Sequence, residues 1–333
     1  MTRRDLLGVT AAAAMQPQRR SGLGLSPDCF VIARPPRTAL EYLEKAYSAS
    51  AAGVQSTLAS QEPEYIKKVR AFLEERGMYL EITTRLPGED TSEFEAVVRS
   101  AKEAGAECLR SVCLSGRRYE TFNTLDEWNA FAAESKLKLA RAVKIVEKHR
   151  FPLGLENHKD WTIEEMVPLL KSCSSEYLGA CIDFGNNMSL LDPAEDLVEA
   201  LAPFVVNTHI KDMAVEECED GFLLAEVAIG RGIVDLKRCV EAVRKVKPKV
   251  RFSLDMLTRD PLRIPCLTDK YWATFPDRNG RHLSRALASV RRHKPVQPLV
   301  RVSTMDRETQ LKTELENVTV SVAYARDHLG IYA

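Results

Sequence analysis

The chain has 333 residues, of which 45% are hydrophobic and 28% are charged, as in a globular protein with a large core. Lysine plus arginine equal aspartate plus glutamate at 47 each, and this neutrality argues against a dedicated binder of nucleic acid or of acidic membranes. The eight cysteines form no C-x-x-C pair and no zinc-type cluster with histidine, so a disulfide framework is not expected. No apolar run approaches the roughly 20 residues that span a bilayer.

The first 22 residues are predicted to be an export signal and a linker. Arg3-Arg4 stands before the short, alanine-rich apolar stretch Gly8–Met15, which resembles a twin-arginine signal with cleavage near Ala14. The polar stretch Gln16–Gly22 follows as a linker. This interpretation predicts a periplasmic or exported protein with no membrane segment in its mature form. The alternative is a tail with a chance arginine pair, and the protein is then cytoplasmic.

From Leu23 onward the chain repeats one unit: a short strand pattern, a loop and an amphipathic helix. The predicted strands are Leu23–Ile32, Val54–Ser60, Met78–Thr84, Glu107–Leu114, Pro152–Glu156, Leu178–Asp183, Phe204–Ile210 and Val250–Met256. Helices with clear limits are predicted at Ala39–Ala52, Pro63–Arg76, Leu125–His149, Leu236–Val246, His282–Arg292 and Arg307–His328. Eight such units in this length match a closed (β/α)8 TIM barrel, with an open doubly wound sheet as the alternative.

Two regions interrupt this pattern. A long loop through Gly221 and Gly230-Arg231-Gly232 is predicted before the helix Leu236–Val246, and its glycines give a weak signal for a phosphate cradle. Residues 258–280 are also predicted to be a loop, with Tyr271, Trp272 and Phe275 close together as a sugar-stacking lid or a hydrophobic plug. The predicted organisation is a signal and linker (1–22), one barrel domain (23–295) and a C-terminal helical extension (296–333).

Four side chains fall at the carboxyl ends of four successive predicted strands: Glu156, Asp183, His209 and Asp255. In a parallel α/β protein these ends lie side by side on the face where ligands bind. Three carboxylates beside one imidazole repel one another unless a cation lies between them. The set therefore predicts one divalent metal ion, with Mn²⁺ favoured and Mg²⁺, Co²⁺ or Fe²⁺ as alternatives.

At these residues the chain resembles the xylose-isomerase-like TIM-barrel superfamily of sugar phosphate isomerases and epimerases, which also contains inosose dehydratases and DNA apurinic-site endonucleases. The resemblance covers about Leu23 to Val290. Its most specific motifs are Gly154-Leu155-Glu156-Asn157-His158, Ile182-Asp183-Phe184-Gly185-Asn186, His209-Ile210-Lys211-Asp212 and Gly230-Arg231-Gly232-Ile233-Val234-Asp235. It implies that Glu156, Asp183, His209 and Asp255 bind the metal, and that Glu156 and Asp255 are also the catalytic acid/base pair.

Two positions depart from the family pattern. The last ligand is usually glutamate, and Asp255 is one methylene shorter. The epimerases carry a histidine three residues after the strand-six aspartate, where this chain has Asn186, whose neutral amide cannot transfer a proton. The residues predicted to contact the substrate are His158, Asn186, Lys211, Arg110, Glu81 and Trp272, with Glu226 as a further candidate in the long loop.

These observations predict a metal-dependent isomerase or epimerase that moves a proton next to a carbonyl of a sugar or sugar derivative, through a metal-bound enediolate. A related lyase or dehydratase, a non-catalytic sugar-binding barrel and a nuclease remain as alternatives. The predicted partner is a small sugar, not a nucleic acid. A homo-oligomer is an open possibility, since the sequence does not fix the oligomeric state.

Overall fold

The structure is a computed structural model and describes residues 21–332. The strands are β1 (Leu23–Leu25), β2 (Gly53–Ser56), β3 (Tyr79–Thr83), β4 (Cys108–Ser111), β5 (Leu153–Glu156), β6 (Leu178–Asp183), β7 (Val205–Ile210), β8 (Asp212–Cys218), β9 (Gly221–Val227), β10 (Phe252–Leu254) and β11 (Leu262–Ile264). The helices are α1 (Ala39–Ser48), α2 (Pro63–Arg76), α3 (Ser92–Glu103), α4 (Arg118–Thr121), α5 (Leu125–His149), α6 (Ile163–Cys173), α7 (Ala194–Leu201), α8 (Leu236–Val246), α9 (Asp269–Trp272), α10 (Gly280–Arg292) and α11 (Arg307–Leu329).

Eight parallel strands close into a barrel in the order β1-β10-β7-β6-β5-β4-β3-β2. Helices lie between consecutive strands, and the apolar residues of strands and helices form one continuous core. The prediction of a (β/α)8 TIM barrel is confirmed. Among residues 21–332, no helix combines the length and the apolar character needed to cross a bilayer.

Local signals explain several helix limits. α2 has Pro63 in its first turn and ends at Gly77, whose φ of 60° is the left-handed conformation that favours glycine. α6 begins with a capping box between Thr162 and Glu165, in which each side chain bonds the other residue's backbone. α2 therefore ends, and α6 begins, where the sequence signals predict.

The prediction of a long loop before α8 is wrong. β8 and β9 form an antiparallel hairpin there, and β11 pairs with β9 to complete a three-stranded sheet at the carboxyl end of the barrel. The cause is visible in the sequence: charged residues from Glu216 to Asp220 interrupt the apolar pattern at the turn, although Phe222 and Leu224 are buried.

The C-terminal helix packs on the barrel. α11 contacts β1 and α8, whereas α10 packs on the β8–β9 hairpin, so α11 fills the position of the eighth outer helix. The buried carboxylate of Glu314 on α11 accepts hydrogen bonds from the backbone N–H groups of Ile32 (2.6 Å) and Ala33 (2.8 Å). At the start of the described chain, the N–H of Gly22 donates to the carbonyl of Ile331 at 2.8 Å. Of the predicted signal and linker (1–22), residues 1–20 lie outside the described residues.

Candidate metal centre

The register of the barrel strands brings the four predicted ligands together. Asp183 of β6 pairs with His209 of β7, and Ser253 of β10 pairs with the same His209. Asp255, the residue after β10, therefore lies beside them at the opening at the carboxyl end of the barrel (the mouth). Glu156 ends the neighbouring strand β5. All four residues are buried, between 0% and 4% exposed. The predicted convergence is therefore present in the geometry.

His209 is the centre of the group. Its Nδ1 lies 3.4 Å from Oε2 of Glu156, 3.7 Å from Oδ2 of Asp183 and 4.0 Å from Oδ2 of Asp255. Two ligands of one ion, each roughly 2 Å from it, lie roughly 3–4 Å apart. Among the described residues, Nδ1 of His209 and Oδ2 of Asp183 are buried without a hydrogen bond of proper geometry, as expected of atoms that can bind a cation. The residues fit a divalent ion.

Two cationic side chains already neutralise these carboxylates. Nζ of Lys211 lies 2.5 Å from Oδ2 of Asp255 and 3.0 Å from Oδ2 of Asp183. The guanidinium of Arg110 bonds Oε2 of Glu156 through both Nε and Nη2. A metal ion at this site would have to compete with Lys211 for Asp183 and Asp255.

The remaining nitrogen of His209 is held by a chain of buried polar groups. Nε2 lies 2.9 Å from Oε1 of Gln55, whose Nε2 donates to Oε2 of Glu81 at 3.0 Å. Glu81 also accepts from Asn207 (2.9 Å) and Ser253 (3.2 Å). The predicted substrate contact Glu81 is 0% exposed inside the barrel, where its bonds support Gln55.

The predicted acid/base pair is strongly ionised. Burial raises the pKa of Glu156, but Arg110 and His209 outweigh it and hold that pKa below the ordinary value. Burial likewise raises the pKa of Asp255, but Lys211 and His209 hold it well below the ordinary range. Such carboxylates are good metal ligands and weak bases.

Asp28 is a carboxyl group at the mouth whose pKa is raised, not lowered. Asp28 follows β1, and burial together with the neighbouring Asp255 raises its pKa to about 7. It also interacts directly with the Asp255 side chain. Ser26, two residues earlier, donates its hydroxyl to Oδ1 of Asp255 at 2.9 Å. The loop after β1 therefore positions the last predicted ligand.

The loops after β5 and β6 meet at Asn186. Its Nδ2 donates to Oε1 of Glu156 at 3.0 Å, and its Oδ1 accepts from Nζ of Lys159 and from Nζ of Lys211, the latter at 3.3 Å. His158 is turned toward the carbonyl of Leu114, 2.9 Å from its Nδ1, and burial lowers its pKa to about 4. Asn186 therefore orders the groups around Glu156.

Glu226 reaches the site from the hairpin strand β9. Its Oε1 lies 3.7 Å from Nζ of Lys211, and both of its oxygens accept from Arg259, at 2.8 and 3.1 Å. The hairpin thus adds one carboxylate and fixes one arginine at the mouth.

The aromatic residues of 258–280 form the plug that was one of the two predictions. Tyr271 is 0% exposed, and its ring packs 5.3 Å from those of Tyr119, Trp272 and Phe275. The indole N–H of Trp272, at the end of α9, donates to the carbonyl of Cys266 just before that helix, at 2.9 Å. A substrate contact for Trp272 stays a prediction.

The backbone N–H groups of the glycine pair around Arg231 already bind a carboxylate of the same chain, that of Asp212. Oδ2 of Asp212 accepts the N–H groups of Gly230 (2.9 Å) and Gly232 (2.8 Å), while Oδ1 accepts that of Val234 (3.1 Å). The backbone donors that a phosphate cradle needs are therefore engaged within the chain.

A cavity of about 910 Å³ opens at the carboxyl ends of β2, β3 and β4. Arg110 lines it and also bonds Glu156, whereas the four predicted ligands do not themselves line it. Its size suits a small-molecule ligand.

Several residues of the site were missed by sequence reasoning: Ser26, Asp28, Gln55, Lys159, Cys181 and Arg259. The Sγ atom of Cys181 lies within 4.8 Å of a possible ligand atom of Glu156 and of His209, so the three side chains could hold one metal ion. A period-two pattern on β2 and β6 could have indicated that Gln55 and Cys181 face inward. The orientation of Lys159 and Arg259 depends on loop conformation, for which the sequence carries no clear signal.

The fold and the site define a TIM barrel with a buried carboxylate–imidazole centre at its carboxyl end. The family profile of the xylose isomerase-like TIM barrel matches residues 43–273, and the chain belongs to this family.

Relatives and solved structures agree with that assignment. The 3-oxo-isoapionate decarboxylase of Pectobacterium atrosepticum is 26% identical over 185 residues, which covers 55% of this chain and 62% of that protein. The uncharacterized protein YihM of Escherichia coli is 24% identical over 172 residues, covering 51% and 50%. The chain thus spans less than two thirds of both curated relatives. The D-psicose 3-epimerase of Clostridium cellulolyticum, crystallised with D-tagatose, superposes with a TM-score of 0.59 at 13% identity, covering 92% of this chain and 99% of that one.

Proposed function

We propose that this chain is a divalent-metal-dependent enzyme that acts on a sugar or sugar derivative, as an isomerase or epimerase at a carbon next to a carbonyl. Family membership, the decarboxylase relative and the epimerase structure support an enzyme of sugar chemistry. The observation that carries the proposal is the position of Nδ1 of His209, 3.4–4.0 Å from one oxygen each of Glu156, Asp183 and Asp255.

A divalent ion at this site, Mn²⁺ in the first instance, supplies Lewis acidity toward a carbonyl and its neighbouring hydroxyl. The chain's own residues do the rest. Arg110 and Asn186 hold Glu156 in one orientation, and Ser26 does the same for Asp255. Lys211 provides a positive charge for oxygen atoms that become negative during reaction.

Glu156 and Asp255 remain the proposed acid/base pair of the epimerase reaction. In that reaction one carboxylate removes the carbon-bound proton and a carboxyl group returns it. The cations that lower the pKa values of both groups weaken them as bases. This feature favours a second candidate reaction in which no carbon-bound proton has to be removed.

The second candidate is a lyase that decarboxylates a 3-oxo sugar acid. The bond between the carboxylate carbon and its neighbour breaks, carbon dioxide leaves, and the electron pair delocalises into the adjoining carbonyl before the carbon takes up a proton. Ionised Glu156 and Asp255 suit this reaction as ligands, and the neutral Asn186 occupies the position where epimerases carry histidine. The relative from Pectobacterium is named for this type of reaction.

One experiment separates the candidates. Purified protein is analysed for bound metal, loaded with Mn²⁺, and incubated in D₂O with a panel of keto-sugars and 3-oxo sugar acids. Carbon-bound deuterium without carbon dioxide supports the isomerase or epimerase, and carbon dioxide release supports the lyase. Sugar binding without turnover indicates a non-catalytic barrel. Failure of wild-type protein to bind Mn²⁺ any more tightly than the variant His209→Gln contradicts the proposal.

A further inference from the structure

Lys159 is a buried cation without a carboxylate partner. It follows β5 by three residues and is 5% exposed. The buried lysines and arginines of residues 21–332 are Arg118, Lys159 and Lys211. Arg118 pairs with Glu165, and Lys211 pairs with Asp183 and Asp255, but no carboxylate of the described residues lies within 4.0 Å of Nζ of Lys159. A buried ammonium without a counter-ion is costly, and proteins usually provide one.

The ammonium points into the candidate centre. Its hydrogen-bond acceptor is Oδ1 of Asn186, which also accepts from Lys211, so two positive charges converge on one neutral oxygen. Repulsion by Lys211 adds to burial in lowering the pKa of Lys159, to about 8, at which the group is still charged at neutral pH. A negative group between the two ammonium ions would remove this repulsion.

The backbone fixes this orientation. Lys159 has a φ of 63°, in the left-handed region that L side chains rarely adopt. Its carbonyl accepts the N–H of Arg118 at 3.0 Å, and the carboxylate of Asp160 bonds the N–H groups of His158 (3.1 Å) and Trp161 (2.9 Å). The turn therefore directs the side chain to the mouth even though it provides no counter-ion there.

The charge balance of the mouth changes when a metal binds. With His209 neutral, as a metal ligand must be, the four cations Arg110, Lys159, Lys211 and Arg259 balance the four carboxylates of Glu156, Asp183, Glu226 and Asp255. A divalent ion adds two positive charges, and an ionised Asp28 would offset only one of them. The metal-loaded mouth therefore has fewer negative than positive charges. Lys159 is the cation among these four that has no carboxylate of the described residues within 4.0 Å.

We propose that Lys159 binds a carboxylate of the substrate, so that the site takes sugar acids in preference to the corresponding neutral sugars. This inference rests on the proposed function and names its substrate class. A carboxylate matches one ammonium in charge, whereas a phosphate dianion would need further donors. The backbone donors of the glycine pair are engaged by Asp212.

The test compares matched acids and polyols by calorimetry on Mn²⁺-loaded full-length protein. The pairs are D-erythronate and erythritol, D-xylonate and xylitol, and D-gluconate and D-glucitol, with D-glucitol 6-phosphate as the phosphate probe. We expect at least one acid to bind wild-type protein at least tenfold more tightly than its polyol. In Lys159→Met the preference should fall to within twofold, with polyol affinity and metal content unchanged. Lys159→Arg should retain part of the preference, and Lys249→Met, at an exposed lysine before β10, should retain all of it.

The outcomes separate this inference from the proposed function. Absence of an acid preference in wild type, or its persistence in Lys159→Met, overturns the role of Lys159. Loss of D-glucitol 6-phosphate binding in that variant, with acid binding intact, overturns the carboxylate assignment. Metal content is measured before the titrations and turnover separately from them, so failure of the proposed function is recognised apart from the result on acid preference. Far-ultraviolet circular dichroism shows whether each variant is folded. If Lys159→Met is unfolded, the acid preference of Lys159→Arg is used instead, and an unchanged preference there overturns the role of Lys159.

Discussion

Nε2 of His209 lies 2.9 Å from Oε1 of Gln55, and this contact fixes which imidazole nitrogen faces the centre. The Nε2 amide group of Gln55 donates a hydrogen bond to Glu81, so the amide oxygen is turned toward the imidazole and must accept a hydrogen bond from it. Nε2 of His209 therefore carries a hydrogen, and Nδ1 is the nitrogen that faces Glu156, Asp183 and Asp255 and can bind a metal once its own proton is lost. A ligand that is oriented in advance in this way binds metal more tightly.

We predict that Gln55→Leu weakens Mn²⁺ binding by about 10- to 100-fold, because loss of the acceptor frees the imidazole to rotate and to change tautomer. Isothermal titration calorimetry measures the change. Gln61→Leu, at an exposed position after β2, is the control and should bind as wild type. An unchanged affinity in Gln55→Leu would show that the imidazole is oriented by other contacts.

Lys211→Met should have the opposite effect on the metal. Its ammonium lies 2.5 Å from Asp255 and 3.0 Å from Asp183, and a metal ion must compete with it for these oxygens. Removing the charge should raise Mn²⁺ affinity by about tenfold or more. Turnover should fall, since Lys211 is proposed to neutralise a developing oxyanion. A lower Mn²⁺ affinity in the variant would mean that Lys211 helps to build the site, and the competition model would be rejected.

Metal binding should release a proton from Asp28 below pH 7. Burial and Asp255 raise the pKa of Asp28 to about 7 without metal, and a cation bound to Asp255 should lower it. The affinity for Mn²⁺ should therefore rise with pH up to about 7, as Asp28 loses its proton. Above that pH Asp28 is already ionised and should no longer change the affinity.

The variant Asp28→Asn isolates this effect. At pH 6 it should release up to one proton fewer per Mn²⁺ than wild type, and the difference should vanish by about pH 8.5. Calorimetry in buffers of different ionisation enthalpy counts the protons. His209 loses its own proton in both proteins, so it cancels in the comparison. Equal proton counts at pH 6 would assign the release to other groups.

Much of the fold could be predicted because local signals and tertiary structure agree. α2, α5, β6 and α8 have the predicted limits, since caps and periodicity mark them. β1 and β10 are shorter than predicted, three residues each, because the barrel needs only a short paired segment before the chain turns into mouth loops. The β8–β9 hairpin was missed because Glu216–Asp220 reads as a polar loop.

The candidate site was predictable only in part. Carboxyl ends of parallel strands meet, so the approach of Glu156, Asp183, His209 and Asp255 follows from strand order alone. The partners that support them come from distant elements, such as Gln55 from β2 and Glu226 from the missed hairpin. Their contacts depend on barrel register and loop conformation, which one sequence does not encode in a local pattern.

The export prediction can be tested without structural information. Residues 1–22 are fused to a reporter that is active only after folded export, and Arg3-Arg4 is replaced by Lys-Lys in the control. We expect the control to abolish export, because twin-arginine recognition requires the arginine pair. Equal reporter activity in both fusions, or none in the wild-type fusion, would contradict the signal.

The carboxylate of Asp212 replaces an external anion at the loop after the hairpin. It accepts four backbone N–H groups, from Met213, Gly230, Gly232 and Val234, at 2.8–3.1 Å. Asp212→Ala leaves these donors unpaired in a part-buried loop. The free energy of unfolding should therefore fall by about 2–4 kcal/mol, measured by urea denaturation. Glu219→Ala, at the exposed hairpin turn, should change it by less than about 0.5 kcal/mol. If Asp212→Ala is instead as stable as wild type and binds inorganic phosphate, the glycine pair is a phosphate site that Asp212 normally blocks.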